Sequence, residues 1–279
     1  MKRQVVATIA GGLVLFVLQA LTGLALGPID IEMPPGIVPW TLLSNVLIAG
    51  VLAWLARRSA WAGWPLAAAL FAVGYGMGQA NSLIEAHVFN IFPRPGLLRQ
   101  IAVYSIVPAL LFAPIMVWLT GRWSTPAGPP ADWPARSAAS WVARFAACCV
   151  AYLLLYFAAG TIIFPYVQEF YERLTLPAAS TVILLQLLVR GPIFTASGLL
   201  IIRMIPAARR EHALMVAVAM LVLAGVAPLI IPNPFFPETV RWVHMMEVVP
   251  SNFLFGFITG WLLGGSREPH GARVAAAAA

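Results

Sequence analysis

Three ionisable side chains lie inside stretches of the sequence that otherwise consist of apolar residues. Glu85 and Glu247 are acids, and Arg190 is a base. A charge in the hydrocarbon region of a bilayer costs several kcal/mol unless it is paired or hydrated, so such residues often mark a pathway or a binding site. The sequence therefore predicts an ion pair of Arg190 with Glu247, as first choice, or with Glu85.

A polar face accompanies Glu247 near the C-terminal end of the chain. His244, Glu247 and Ser251 are spaced three and seven residues apart, which places them on one face of a helix. The opposite face carries a ladder of small residues that lets another helix approach closely: Gly256, Gly260 and Gly264. Both faces of this helix are predicted to contact protein rather than lipid.

Glu85 belongs to a second polar stripe. Asn81 and Glu85 share that stripe with Gly74 and Gly78. Because the glycines would admit a neighbouring helix, the two polar side chains are expected to face that helix. His87, two residues beyond Glu85, points the other way on an ideal helix and is expected near the outer boundary.

Arg190 lies about eleven residues from either end of its apolar stretch, which is too far for its side chain to reach water easily. Gln186 and Ser197 share its face of the helix. The Gly191-Pro192 pair follows at once, and a proline removes a helix hydrogen bond. We therefore expect a kink at this point, and a partner or a water-filled cavity for Arg190.

These polar residues predict a substrate- or ion-binding cluster: Arg190, Glu247, Glu85, Asn81 and Asn252. A carboxylate near one membrane surface, an arginine at mid-membrane and a broken helix are features of permeases that bind anions or couple to protons. The preferred function is a small permease or a subunit of a membrane complex. An ion pair that only fixes helix packing is the alternative without a binding role.

A membrane-embedded enzyme or metal protein working at the outer face is the competing hypothesis. Carboxylate and imidazole groups suit zinc or iron, and four residues could supply them: Glu85, His87, His244 and Glu247. Glu85 and His87 diverge by roughly 160° on an ideal helix, and neither zincin motif is present. No metal, no cofactor and no recognisable enzymatic activity is therefore favoured.

The composition determines which elements must position these residues. Hydrophobic residues make up 61% of the chain and charged residues 10%, whereas soluble domains contain about 25% charged residues. A spanning helix needs about 20 apolar residues. We predict one all-α membrane domain over residues 1–279, a bundle of about eight transmembrane helices: 5–27, 38–56, 63–85, 100–120, 141–163, 179–202, 213–231 and 243–264.

The chain divides into two possible halves. Spans one to four occupy 1–120 and spans five to eight occupy 141–266, separated by a Pro/Gly-rich linker at 121–140. A disordered tail is predicted over 267–279. The stretch "LSNVLIAGVLAWL" resembles the later "PSNFLFGFITGWLL". This echo is consistent with a repeated hairpin or a 4+4 arrangement.

The basic residues predict the orientation of the bundle. If the N-terminus is cytoplasmic, twelve of the 17 Lys and Arg residues lie in inside connections, as the positive-inside rule requires. Four lie outside: Arg94, Arg99, Arg173 and Arg241. We predict a bacterial-type inner membrane protein with both termini in the cytoplasm. Charges scattered in this way exclude nucleic acid, and leave the lipid bilayer, a membrane-protein partner or a second copy as partners.

Aromatic residues concentrate in two outside connections, at 164–177 and 231–244. They are predicted to form an aromatic belt at headgroup depth. A surface for lipid or for a partner protein is the functional alternative. Tyr152 and Tyr156 are spaced four residues apart on the fifth span, and we interpret that stripe as packing.

Overall fold

The computed structural model describes residues 2–29, 31–92, 94, 96–124 and 134–265. Across these residues the chain is all helical, with no strand, so the predicted all-α bundle is confirmed. Eight helical segments follow one another: α1 Lys2–Leu26, α2 Ile37–Arg58, α3 63–88, α4 Leu97–Leu119, α5 Ala138–Glu172, α6 Ala179–Met204, α7 Arg209–Leu229 and α8 Glu238–Leu263.

Seven helices in the described part of the chain are long and apolar enough to cross a membrane. The remaining helix, α3, is not among the seven because its second half carries Asn81 and Glu85 among other polar residues. Its backbone is nevertheless helical from residue 63 to residue 88. The helix that is too polar to count as an apolar span is therefore one that carries predicted site residues.

Three of the helices contain a wide π turn in which hydrogen bonds skip one extra residue. These turns are Gly76–Ala80 in α3, Gln186–Arg190 in α6 and Val222–Val226 in α7. In α6 and α7 a proline follows two residues later, Pro192 and Pro228. Because proline has no N–H, the helix changes its hydrogen-bond register just before it. At the predicted kink, the structure has a π turn ending at Arg190.

The helix α5 is longer than the sequence predicts. We expected the span to end at residue 163 and a loop to fill 164–177, but the helix continues to Glu172 and contains 35 residues. At 1.5 Å per residue it measures about 52 Å, against about 30 Å for the hydrocarbon core. Pro165 is accommodated within the helix, and Gln168 donates a hydrogen bond of 2.6 Å to Glu172 one turn later.

The glycine ladder of α8 packs directly against α7. A Cβ atom placed on Gly256 would lie 2.7 Å from the Cα atom of Ala217, and one on Gly260 would lie 2.5 Å from the Cα atom of Ala213. Real Cβ atoms do not approach backbone this closely, so only glycine allows the two helices to touch here. The predicted close approach through this face is confirmed.

Several arginines that the sequence assigned to topology also cap helix ends. Arg136 donates hydrogen bonds of 2.9 and 2.7 Å to the carbonyls of Leu263 and Gly264, at the end of α8. Arg241, which is only 4% exposed, donates one of 2.8 Å to the carbonyl of Leu229 at the end of α7. The last carbonyls of a helix lack partners within the helix, so a guanidinium placed there stabilises the end.

The two halves of the bundle remain a prediction. The two Ser-Asn pairs of the sequence echo do meet the same helix, since Ser44 donates to the carbonyl of Ala227 and Asn252 to that of Ala224. The predicted tail 267–279 lies outside the described residues, and so do residues 125–133 of the predicted linker.

Candidate functional site

The π turn of α6 determines the position of the backbone that carries the Arg190 side chain. The turn closes with a hydrogen bond from the N–H of Gly191 to the carbonyl of Gln186. A Cβ atom on Gly191 would lie 2.8 Å from that carbonyl oxygen and 3.3 Å from the Cα atom of Cys149 in α5. Glycine thus lets α6 lie close against α5, and Arg190 is left 7% exposed.

The guanidinium of Arg190 is almost enclosed by its partners. Its Nη1 atom donates to the carboxylate of Glu85 at 2.5 Å and to the amide oxygen of Gln186 at 3.1 Å. Three aromatic rings surround its carbon centre at 5.7 to 6.0 Å: Tyr152, Phe194 and Tyr156. Stacked aromatic faces and a paired carboxylate compensate for the loss of water around a buried cation.

Glu85 reaches Arg190 because α3 changes register just before it. The π turn of α3 ends at Ala80, and the short helical segment Asn81–Val88 then carries Glu85 on its second turn. Asn81 is 1% exposed and donates to the carbonyl of Gly76 at 3.2 Å. Its own oxygen finds no hydrogen-bond partner in the described part of the chain.

Glu247 makes a different contact. Its carboxylate lies 2.9 Å from the Nδ1 atom of His244, one turn earlier on α8. The side chains of His244 and Glu247 are 23% and 13% exposed. Ser251, the third residue of the predicted polar face, donates to the main-chain carbonyl of Glu247. Glu247 also lies close to α5, since a Cβ atom added to Gly160 would lie 3.6 Å from Glu247 Oε1.

The first-choice prediction, an ion pair between Arg190 and Glu247, is wrong, since Arg190 pairs with Glu85. Spacing within one helix shows that His244 can reach Glu247. It gives no information about which neighbouring helix faces Arg190. That choice depends on the rotation of α3 relative to α6, and the two π turns alter this rotation in both helices.

Both carboxylates line one cavity of about 320 Å³. The cavity lies where the ends of α3 and α7 meet the beginning of α8, and His244 and Glu247 contribute to its wall together with Glu85. Aromatic side chains form much of the remaining wall: Phe89, Phe92, Tyr156, Tyr171, Phe235 and Phe236. The structure therefore brings Glu85, Glu247 and His244 to one space.

The other predicted site residues do not line this cavity. Arg190 lies behind Glu85, and Asn81 is engaged by its own helix. Asn252 donates to the carbonyl of Ala224 at 3.0 Å. Ala224 lies in the π turn of α7, and Pro228, four residues further along, has no N–H that could donate to its carbonyl.

The four residues of the alternative metal site are divided between different partners. His87 is exposed, whereas Glu85 bonds to Arg190 and Glu247 to His244. No group of three or more His, Cys, Asp or Glu side chains is arranged to hold a metal ion within residues 2–29, 31–92, 94, 96–124 and 134–265.

Sequence reasoning missed the aromatic wall of the cavity. Tyr156 was interpreted as packing and Phe236 as part of a headgroup belt, but both line the cavity. Phe236 stacks on the imidazole of His244, with ring centroids 6.1 Å apart. The clustering of aromatic residues in the outer connections was the available signal. It could not show that these rings turn inward over a polar pair.

The charges of the site differ in how firmly they are compensated. Arg190 carries a permanent charge and balances Glu85. The ionic partner of Glu247 among the described residues is the imidazole of His244, and an imidazole gains or loses its proton near neutral pH. When His244 is neutral, the site carries one negative charge in excess. Such a cavity, with aromatic walls and a carboxylate whose partner is an imidazole, is suited to a proton or to an organic cation.

Comparison with known protein families, with curated proteins and with solved structures finds no match to this chain. Its function must therefore be inferred from the geometry of the site.

Proposed function

We propose that this protein is a small permease that binds an amphipathic organic cation in the aromatic cavity and exchanges it for a proton carried by His244 and Glu247. One observation carries the proposal. The carboxylate of Glu247 lines the cavity beneath aromatic walls, and its ionic partner in the described part of the chain is a titratable imidazole rather than an arginine.

The cavity favours a cation over an anion. Arg190 does not line the cavity and is already paired with Glu85, which does. Aromatic rings present the negative faces of their π systems and attract ammonium groups within about 6 Å. A ligand with an apolar body and one positive charge would meet both the rings and the Glu247 carboxylate.

Exchange with a proton follows from the same charges. With His244 protonated, the pairs Arg190–Glu85 and His244–Glu247 are both neutral. A bound organic cation would then add an uncompensated positive charge in a region of low dielectric, where charges interact strongly. Release of the imidazole proton restores neutrality. Cation and proton therefore compete for one carboxylate, which is the condition for coupled exchange.

The π turns interrupt the regular hydrogen-bond pattern of helices that line the cavity or lie beside it. A Cβ atom on Gly78, in the π turn of α3, would lie 3.2 Å from the carbonyl oxygen of Leu223 in the π turn of α7. Irregular turns of this kind are frequent at functional sites, and transporters bind substrates where membrane helices are broken. We infer that α3 and α7 rearrange at this contact when the cavity closes to one side of the membrane and opens to the other.

The positive-inside rule orients the proposed permease. It assigns the N-terminus and the C-terminus to the cytoplasm of a bacterial-type cell. The cavity, which includes residues of the connections after α3 and after α7, then opens to the outer face. An engineered cysteine at exposed Asn90 should react with an impermeant maleimide in intact cells. One at exposed Arg58 should react only after the cells are opened.

Equilibrium binding tests the proposal most simply. Benzyltrimethylammonium, a permanently charged aromatic cation, is titrated calorimetrically into the purified full chain. We expect Glu247→Gln to lower the affinity at least about tenfold, as loss of a charged partner does. Glu169→Gln is the matched control, because Glu169 is an exposed carboxylate of α5 that does not line the cavity, and it should bind as the wild type does.

The proposal fails if the wild type binds no aromatic cation, or if Glu247→Gln binds as tightly as the wild type. Transport is tested separately in proteoliposomes, where an imposed pH gradient should drive accumulation of the cation by the wild type but not by Glu247→Gln. Binding without accumulation would contradict the permease and favour a membrane-complex subunit that senses the cation.

A further inference from the structure

A second cavity, of about 390 Å³, lies at the other end of the bundle. Its location follows from α3, which ends beside the aromatic cavity but begins beside this one, since the N–H of Gly63 donates to the carbonyl of Arg122 at 2.9 Å. Three of its lining side chains are basic, namely Arg3, Arg57 and Arg122. Thr120 and Gly121 complete its wall.

The three arginines come from separate elements that close packing holds together. Arg3 lies in the first turn of α1, Arg57 in the last turn of α2, and Arg122 just after α4. The helix α1 packs tightly against both α2 and α4. A Cβ atom on Gly12 would lie 2.8 Å from the Cα atom of Val46 in α2. Close packing of α1 against its neighbours therefore brings the three arginines together.

No carboxylate lines this cavity in the described part of the chain, and none there forms an ion pair with its arginines. The first turn of α1 adds main-chain N–H groups that have no partner within the helix. Their partial positive charge strengthens the attraction for an anion. The charged side chains that line this cavity among the described residues all carry a positive charge.

Hydrogen bonds hold the Arg122 side chain in place, and one of its N–H donors finds no partner among the described residues. Its Nη2 atom donates to the carbonyls of Ser59 and Trp61, at 2.6 and 3.2 Å. Its Nε atom is buried and finds no hydrogen-bond partner among the described residues. Partial burial lowers the pKa of Arg122 from its ordinary value, and an anion close to it would offset that unfavourable burial.

Tryptophans indicate the depth of this cavity in the bilayer. Trp64 and Trp123 pack edge to face with ring centroids 5.2 Å apart, and Trp64 is 68% exposed. Trp123 directly follows Arg122. Exposed tryptophans of membrane proteins lie at the level of the lipid headgroups. We therefore expect the phosphate groups of the surrounding lipids at the depth of the three arginines.

We propose that this arginine cavity binds the phosphate group of an anionic phospholipid from the leaflet on the N-terminal side. Guanidinium groups donate paired hydrogen bonds to phosphate oxygens, and basic pockets between membrane helices on the cytoplasmic side hold anionic headgroups. Topology alone accounts for arginines anywhere in these connections, but it does not require three elements to direct them into one cavity. The proposal does not depend on the permease function.

Lipid binding is measured by native mass spectrometry of the detergent-solubilised full chain. Phosphatidylglycerol is the anionic probe and phosphatidylcholine is the neutral one. The test variant is Arg3→Gln with Arg57→Gln, since both side chains are exposed and Arg122 holds the connection in place. The matched control is Arg99→Gln with Arg173→Gln, which removes two exposed arginines that do not line this cavity.

We expect the wild type to prefer phosphatidylglycerol, and the test variant to bind it at least about tenfold more weakly. The control should bind as the wild type does, and Arg3→Lys with Arg57→Lys should recover part of the affinity. An equal loss in both double variants would overturn the proposal, because net charge alone would then explain binding. Full displacement of the lipid by millimolar inorganic phosphate would overturn it as well, since the ligand would then be a free anion.

Discussion

Glu85 and Glu247 line the same cavity, yet they have different partners. Glu85 faces Arg190, a permanent cation held by Gln186 and three aromatic rings. Glu247 faces His244, whose charge depends on pH. The side chain of Glu85 is the more exposed of the two, at 24% against 13%. In the proposed function, the permanence of the partner's charge, and not exposure, decides which carboxylate binds the ligand.

The comparison predicts that Arg190→Leu has the largest effect on stability. It leaves Glu85 without its permanent partner, and breaking a buried ion pair from one side costs about 3–5 kcal/mol. Thermal unfolding in detergent measures the loss. The double change Arg190→Leu with Glu85→Leu should recover most of it, because neither charge then remains. If the two single losses simply add in the double variant, Arg190 and Glu85 do not act as a pair.

The two asparagines of the predicted site, Asn81 and Asn252, should also differ in their effect on thermal unfolding. Asn252→Ala removes the donor to the carbonyl of Ala224 in α7. The free energy of unfolding should fall by about 1–3 kcal/mol. Asn81→Ala should cost less, because it removes one hydrogen bond but also one buried oxygen that has no partner in the described part of the chain. The reverse order would contradict this assignment of the two supports.

Glu247→Gln should change stability by less than about 1 kcal/mol. The amide keeps a hydrogen-bonding group beside His244 and removes a charge from a partly enclosed place. Glu85→Gln, the matched change at the other carboxylate, leaves Arg190 unpaired and should destabilise the protein by several times as much. Comparable unfolding temperatures for the two variants would remove the distinction between a structural and a ligand-binding carboxylate.

The smallest effect is expected at the aromatic wall. Phe236→Leu keeps an apolar side chain but removes a ring that stacks on His244. Affinity for benzyltrimethylammonium should fall by about 0.5–1 kcal/mol, which is the contribution of one cation–π contact. Phe257→Leu is the control, because Phe257 stacks on Trp261 of the same helix and does not line the cavity. An equal decrease in both variants would mean that the cavity ring contributes nothing specific.

Burial of the charged residues was predictable because membrane solvation is a strong constraint. A charge such as Arg190 in an apolar stretch must be enclosed by protein, and it is. The glycine spacing of α8 predicted a close helix contact correctly. The residues that contact across helices were not predictable. Whether Arg190 meets Glu85 or Glu247 depends on the rotation of whole helices, which spacing along one chain segment does not determine.

The fold shows the same division between local and tertiary information. The class of the protein followed from its apolar stretches, whereas three features did not. Nothing in the composition of 222–226 indicates a π turn, and the end of α5 continues past Pro165 into a stretch that is polar and aromatic. The inward orientation of Phe236 depends on the connection that carries it. Pro228 lies outside 222–226 and accounts for the register change in α7, whereas the other two features depend on packing between helices.

Proton release on cation binding tests the central claim most directly. Benzyltrimethylammonium is added to the purified protein in weakly buffered solution near neutral pH, and the protons released are counted. The account predicts up to about one proton for each cation bound by the wild type and by Glu169→Gln, and none by Glu247→Gln. Cation binding by the wild type without proton release, over the pH range in which an imidazole titrates, would contradict the claim that a cation and a proton compete for Glu247.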